Sequence, residues 1–204
     1  MTSLHIIGLS AAAATGVLAL ATRTRRLQRL DDGLEELAEQ RRTALHPLAS
    51  IGTLPGERYM HPAIGAASAA TILLLRPEGS ALRVLLPLAG ASIGAIVAHH
   101  AVKLVYRRPR PAVALSRGKT EPAFPSGHTA DATAVLLTSA WMLAHEGLLP
   151  LGIAMSVAMT LAIVTGMSRV ALGWHWGTDV AGGWLTGIAV AAECVALYER
   201  MRGL

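Results

Sequence analysis

Apolar residues fill six stretches of this chain almost continuously: Leu4–Ala21, His61–Leu75, Val84–Val102, Thr129–His145, Leu149–Met167 and Val180–Tyr198. Each approaches the roughly 20 residues that an α-helix needs to cross the hydrocarbon core of a bilayer, since a residue advances the helix by about 1.5 Å. The second stretch is the shortest and can be extended back to Tyr59. Small residues crowd these segments, at Ala11–Ala14, Gly65-Ala66-Ala67 and Gly182-Gly183, and let helix backbones approach where lipid supplies no hydrophobic drive between helices. The pattern predicts an all-α fold, a six-transmembrane-helix bundle.

Between the first two stretches the pattern changes. Leu30, Leu34, Leu37, Ala38, Leu45 and Leu48 recur near helical spacing, with Asp31, Asp32, Glu35, Glu36, Glu39, Arg41 and Arg42 on the other faces. This predicts a short interfacial amphipathic helix, Leu30–Leu48, lying along the membrane with its charges as a solvated face. Acidic residues precede the arginines, in the sense that complements the helix dipole, and Pro47 is expected to end it.

Composition places the whole chain in the bilayer. With 52% hydrophobic and 15% charged residues among 204, it is too apolar for an ordinary soluble domain and long enough for one compact unit, so 1–204 reads as a single membrane-embedded domain. The formal charge of +5 comes from cations flanking the apolar stretches; these lack the aromatic interleaving of a nucleic-acid surface, and no nucleic acid partner is expected. Cys194 stands alone, which excludes an intrachain disulfide and a cysteine-rich metal site. Met1-Thr2-Ser3 carries no cation, whereas Arg23, Arg25, Arg26 and Arg29 follow the first stretch, the reverse of a secretory signal. That stretch is expected to stay as a helix.

Three polar clusters interrupt this background. The first, Lys103-Leu104-Val105-Tyr106-Arg107-Arg108-Pro109-Arg110-Pro111, closes the third stretch. A helix running to about Tyr106 turns Lys103 inward near the membrane surface while Arg110 rides on the loop, so both can converge on one anion. Alone, the cluster would read as a basic flank anchored to lipid headgroups. The second, Pro125-Ser126-Gly127-His128, stands before the fourth stretch, where a helix start exposes backbone N–H groups beside a hydroxyl and the dipole favours an anion. His128 can donate a proton there or cap the helix, and Gly127 removes a side chain that would crowd a ligand. Asp131 is read as complementing the dipole and stays outside the site. The third cluster runs from Ser168-Arg169 to His175 and Asp179. Four residues apart, His175 and Asp179 share a helix face or a turn, so the carboxylate can accept from one imidazole nitrogen and leave the other unprotonated, as a nucleophile. Trp174 or Trp176 reads as an interfacial belt residue.

Together the clusters supply fixed cations, hydroxyl and backbone donors, two histidines and a carboxylate, an inventory that can hold a phosphate and move its phosphoryl group. As Lys-x6-Arg-Pro, Pro-Ser-Gly-His and Ser-Arg-x5-His-x3-Asp, in that order and without substitution, the chain resembles the type 2 phosphatidic acid phosphatases, whose core is shared with vanadium haloperoxidases and glucose-6-phosphatases. The resemblance implies a membrane lipid phosphatase in which His175 attacks phosphorus to form a phosphohistidine, Asp179 orients it, and His128 protonates the leaving group and then activates water. It implies that Lys103, Arg110, Ser126, Gly127 and Arg169 bind the phosphoryl oxygens, with no metal and no cofactor. The partners would be the bilayer and a lipid phosphate or pyrophosphate, such as undecaprenyl pyrophosphate, phosphatidylglycerophosphate or phosphatidic acid.

Other readings account for less of the chain. A vanadium haloperoxidase would use the same cradle, but those relatives are soluble and larger. A lipid phosphotransferase would share the phosphohistidine and hand the phosphoryl group to an alcohol. A transporter or scaffold would explain six apolar helices and leave the Lys, Arg, His and Asp constellation unexplained. On orientation, two arguments oppose each other: loop Lys and Arg crowd the side carrying the clusters, which positive-inside counting assigns to the cytoplasm, whereas bacterial relatives carry the site outside. Lys103, Arg110 and Arg169 are accounted for by the chemistry, which weakens the count, and the resemblance implies the outer face of a bacterial inner (plasma) membrane.

Overall fold

The computed structural model describes residues 2–77 and 80–203, which form eight α-helices and no strand. In chain order these are α1 (Thr2–Ala21), α2 (Arg25–Gly52), α3 (Met60–Leu75), α4 (Ala81–Val105), α5 (Ala112–Ser116), α6 (Gly127–His145), α7 (Leu151–Ala171) and α8 (Gly177–Arg202), with a 3-10 turn at Leu54–Gly56 between α2 and α3. Each of the six apolar stretches forms a helix, with Leu149 and Pro150 left ahead of α7; the short α5 is an addition the apolar pattern does not announce.

The hub of the bundle is α6, which packs on α3, α4, α7 and α8 and has no exposed residue. Its seam with α7 is built mostly from alanines, Ala132 and Ala140 with the larger Leu136 against Ala154, Ala158 and Ala162. Against α8 the approach is closer still. A Cβ on Gly183 would lie 2.7 Å from both the Ser126 carbonyl oxygen and Thr129 Cβ, and one on Gly187 would lie 2.5 Å from Thr133 Cβ. In lipid such seams stabilise by van der Waals contact rather than by removal of apolar surface from water, so glycine and alanine serve better than leucine. At the end of the bundle away from the polar clusters, Ile72, Val84, Leu88, Met142 and Tyr198 form the bulky part of the core, and Glu146 accepts from Arg83 at 3.0 Å and Tyr198 at 2.5 Å.

Burial of α6 also explains why the six expected spans are unequal. Four helices, α1, α4, α7 and α8, have the length and apolarity to cross a membrane by themselves. With 16 residues, α3 is too short, reaching about 24 Å. The 19-residue α6 is too polar, because Thr129, Asp131, Thr133, Thr138 and Ser139 are buried among protein rather than lipid.

The amphipathic segment departs most from expectation. It is a 28-residue helix, Arg25–Gly52, neither short nor ended by Pro47, which lies inside it. The lost backbone donor at Pro47 is tolerated because the helix end is held beyond it: Ala49 is buried, and Gly52 approaches α7 so closely that a Cβ there would meet Val164 at 2.9 Å. Because the helix starts at Arg25, its first turn contains no acidic residue and the expected match to the dipole is absent. Its faces are also inverted relative to a helix on a soluble protein. Leu30, Leu34, Leu37, Leu45 and Leu48 point outward, as suits a helix against a bilayer, while Asp31, Ala38, Arg42 and Ala49 are buried on the face that packs on α7 and α8. Arg42 pairs with Glu35 at 3.1 Å and with Glu39, and donates to the Ala171 carbonyl at 3.4 Å.

Candidate active site

Lys103 occupies the last turn of α4, and the chain then leaves the helix at Tyr106. Arg110 is fixed by that loop: its Nε donates to the Glu121 carbonyl at 2.8 Å, and one Nη donates to the Trp174 carbonyl at 2.9 Å and to His175 Nε2 at 3.2 Å. Burial lowers the Arg110 pKa, opposed by the carboxylates of Glu121 and Asp179, and its guanidinium stays charged. The Glu121 carboxyl is held below the usual range, first by a backbone hydrogen bond and then by Arg110, Lys119 and Lys103.

Ser126 is the N-cap of α6, and its backbone N–H donates to the Asp179 carbonyl at 2.9 Å, tying the start of α6 to the start of α8. Its hydroxyl is fully buried and accepts from Thr129 Oγ1 at 2.9 Å. Gly127 makes room, but for protein: a Cβ there would lie 3.0 Å from the His99 ring. The His128 ring does not cap the helix; its Nε2 lies 3.2 Å from Glu57 Oε1. The 3-10 turn before Glu57 is pressed onto the same place, since a Cβ on Gly56 would meet the His128 carbonyl oxygen at 2.4 Å.

Arg169 and His175 are placed by the way α7 ends. Leu172 caps the helix and Gly173, at φ +72°, turns the chain; Gly173 N–H bonds Val170 O at 2.8 Å and Trp174 N–H bonds Arg169 O at 2.9 Å, a Schellman closure. That closure brings His175 back over Arg169. Arg169 donates to Thr53 Oγ1 at 2.7 Å, and its buried Nε has no partner among the described residues. Asp179 lies in the first turn of α8, two residues after its first residue, and Oδ2 accepts the Trp176 backbone N–H at 3.0 Å. The same oxygen lies 3.4 Å from His175 Nδ1. With Arg110 donating to Nε2, the proton of a neutral His175 belongs on Nδ1, toward Asp179. Burial is the first cause of a His175 pKa well below its ordinary 6.5, and Arg110, Arg169 and Lys103 push the same way. The ring is a neutral imidazole whose Nε2 carries a lone pair.

Lys103, Arg110, Gly127, His128, Arg169 and His175 line one cavity of about 1010 Å³. Asp179 stands behind His175, and the Ser126 hydroxyl does not reach the lining. The two helices between His128 and Arg169, α6 and α7, return the chain to the same end of the bundle. Trp174 and Trp176 are engaged more specifically than a membrane belt requires. Arg117, Lys119 and Arg169 lie 5.1, 5.9 and 5.9 Å from the Trp174 ring, and Trp176 Nε1 donates to the Pro109 carbonyl at 3.0 Å.

Several residues around this cavity escape a reading of the motifs. Glu57 and Thr53 reach His128 and Arg169 from the turn after α2. Asp131, assigned above to the helix dipole, lies between His99, at 3.4 Å, and His61, at 3.9 Å, and all three border the cavity. Arg108, within the supposed basic flank, bonds Asp179 at 2.8 Å and Asp31 at 2.6 Å. For Asp31 a sequence signal exists: it shares one helix face with Ala38, Arg42 and Ala49, a stripe of small and charged residues opposite the leucines.

Among solved structures, the chain is similar to the crystal structure described as the first transmembrane PAP2-type phosphatidylglycerolphosphate phosphatase from Bacillus subtilis. The TM-score is 0.83 at 25% sequence identity, over 95% of this chain and 96% of the other. No curated protein matches it. The sequence profile of the PAP2 superfamily matches residues 84–202, more than half the chain and all three motif clusters, and with that match the protein belongs to the PAP2 superfamily.

Proposed function

We propose that this integral membrane protein is a lipid phosphatase working through a phosphohistidine on His175. The observation that carries the reading is the convergence of three clusters, scattered over 103–179, on one cavity in which the His175 imidazole stands beside Arg110. The Nε2 lone pair attacks phosphorus, the bond to the lipid oxygen breaks, and His128 supplies the proton that oxygen needs. Asp179 accepts from Nδ1–H and stabilises the imidazolium that forms. In the second half-reaction His128 takes a proton from water, which attacks phosphorus and releases His175. Lys103, Arg110 and Arg169 balance the charge on the phosphoryl oxygens, and the start of α6 adds the Gly127 backbone N–H, that of Ser126 being held by the Asp179 carbonyl. No metal is required by this scheme.

Six spans, α1, α3, α4, α6, α7 and α8, complete the proposal, with the cavity at the outer face of a bacterial inner membrane. There it meets a lipid whose phosphate or pyrophosphate projects from the bilayer: undecaprenyl pyrophosphate, phosphatidylglycerophosphate or phosphatidic acid. The test is phosphate release by purified protein across these three lipids, with His175→Ala as the blank. Turnover of at least one lipid is expected, falling ~10³-fold or more in His175→Ala, unaffected by chelator and inhibited by vanadate. Comparable release from folded His175→Ala would sink the nucleophile assignment, and magnesium-restorable loss in chelator would sink the metal-free scheme.

A further inference from the structure

Asp31 belongs to α2, outside every motif, yet only 1% of it is exposed. Its Oδ1 accepts the Thr178 backbone N–H at 2.9 Å, and its Oδ2 accepts the Thr178 hydroxyl and Arg108, both at 2.6 Å. The other Nη of Arg108 donates to Thr178 Oγ1 at 2.6 Å and to Asp179 Oδ1 at 2.8 Å. Asp179 then presents its remaining oxygen, Oδ2, to the Trp176 N–H and to His175 Nδ1. A guanidinium is a rigid planar fork, so one gripped by two buried carboxylates fixes the plane of both, which a flexible ammonium cannot do.

We infer that Asp31 and Arg108 are positioning residues for His175: the fork locks the Asp179 carboxylate so that Oδ2 faces Nδ1, keeping the proton there and Nε2 unprotonated. The inference rests on the reaction proposed above. A rival role for Asp31 is to cap the α8 N-terminus through Thr178 alone. Asn separates the two, because its amide oxygen can still accept the Thr178 N–H while it supplies no carboxylate for the fork.

The experiment compares Asp31→Asn, Arg108→Lys and the double variant with wild type, on whichever lipid wild type turns over. Each single variant should lower kcat by ~10- to 100-fold, as loss of an orienting partner does, with KM and vanadate inhibition within about twofold. The double should fall no further than the worse single, because the two act in series. In ¹⁵N-histidine spectra, the His175 signals of a folded variant should lose their Nδ1–H character. Wild-type kcat in folded Asp31→Asn, or a double variant showing the product of the single effects, would overturn the inference. Should Asp31→Asn not fold, Arg108→Lys decides by the same criteria. If wild type releases no phosphate, the reaction proposal fails and the histidine spectra alone judge the clamp.

Discussion

His175 is almost wholly buried and surrounded by cations, two conditions that both oppose its protonation. The sign of the resulting pH dependence follows from linkage. Above about pH 6.5 this side chain is largely neutral in folded and unfolded chains alike; below it, the unfolded chain takes up a proton that the folded one refuses, so stability falls as pH drops. For this one group the loss approaches about 1.4 kcal/mol per pH unit. Melting curves of wild type and His175→Asn from about pH 7.5 to 5.5 check it: wild type should lose stability more steeply, and parallel curves would mean that His175 titrates as an ordinary histidine. At this scale, legibility in the sequence depended on distance along the chain. His175 and Asp179 stand four residues apart, so their pairing could be read directly. The Asp31–Arg108 pair spans 77 residues and His128 meets Glu57 across 71, and no local spacing records either contact.

Among the α-helices, α8 is tightly constrained against α6. Gly183 and Gly187 lie one turn apart on the face toward α6, and Gly183 sits against the Ser126 carbonyl, beside the proposed cradle. Gly183→Ala should therefore destabilise by about 1–3 kcal/mol, the usual cost of overpacking, and also reduce turnover by shifting Ser126. Gly187→Ala, which meets Thr133 and Ala130 farther along α6, should cost similar stability with the smaller loss of turnover. A Gly183→Ala protein with wild-type melting temperature and rate would show that the seam relaxes without effect. The apolar helices were legible because lipid-facing side chains dominate their composition. The orientation of α2 was not: an amphipathic period gives two faces, and only the tertiary structure shows that the charged stripe through Asp31 and Arg42 turns inward while the leucines turn out.

For the whole molecule, the proposed topology puts the α5 loop and the α6–α7 connection on opposite sides of the membrane. In a Cys194→Ser background, an impermeant maleimide applied to intact cells should label Ser116→Cys and leave Leu149→Cys untouched until the membrane is opened. The reverse pattern would place the cavity in the cytoplasm, as the count of loop cations suggests, and labelling of both in intact cells would overturn the span assignment. Motif order made the convergence of the clusters readable, but the span count was harder, since the most enclosed helix is the one whose composition least resembles a membrane segment. That enclosure bears on where this protein can work. Bilayers differ in thickness, and a mismatch is met by tilting or straining the helices that lipid touches. With no exposed residue, α6 is a post around which its neighbours can tilt, so the reacting geometry at its first turn should carry over from a thin membrane to a thick one.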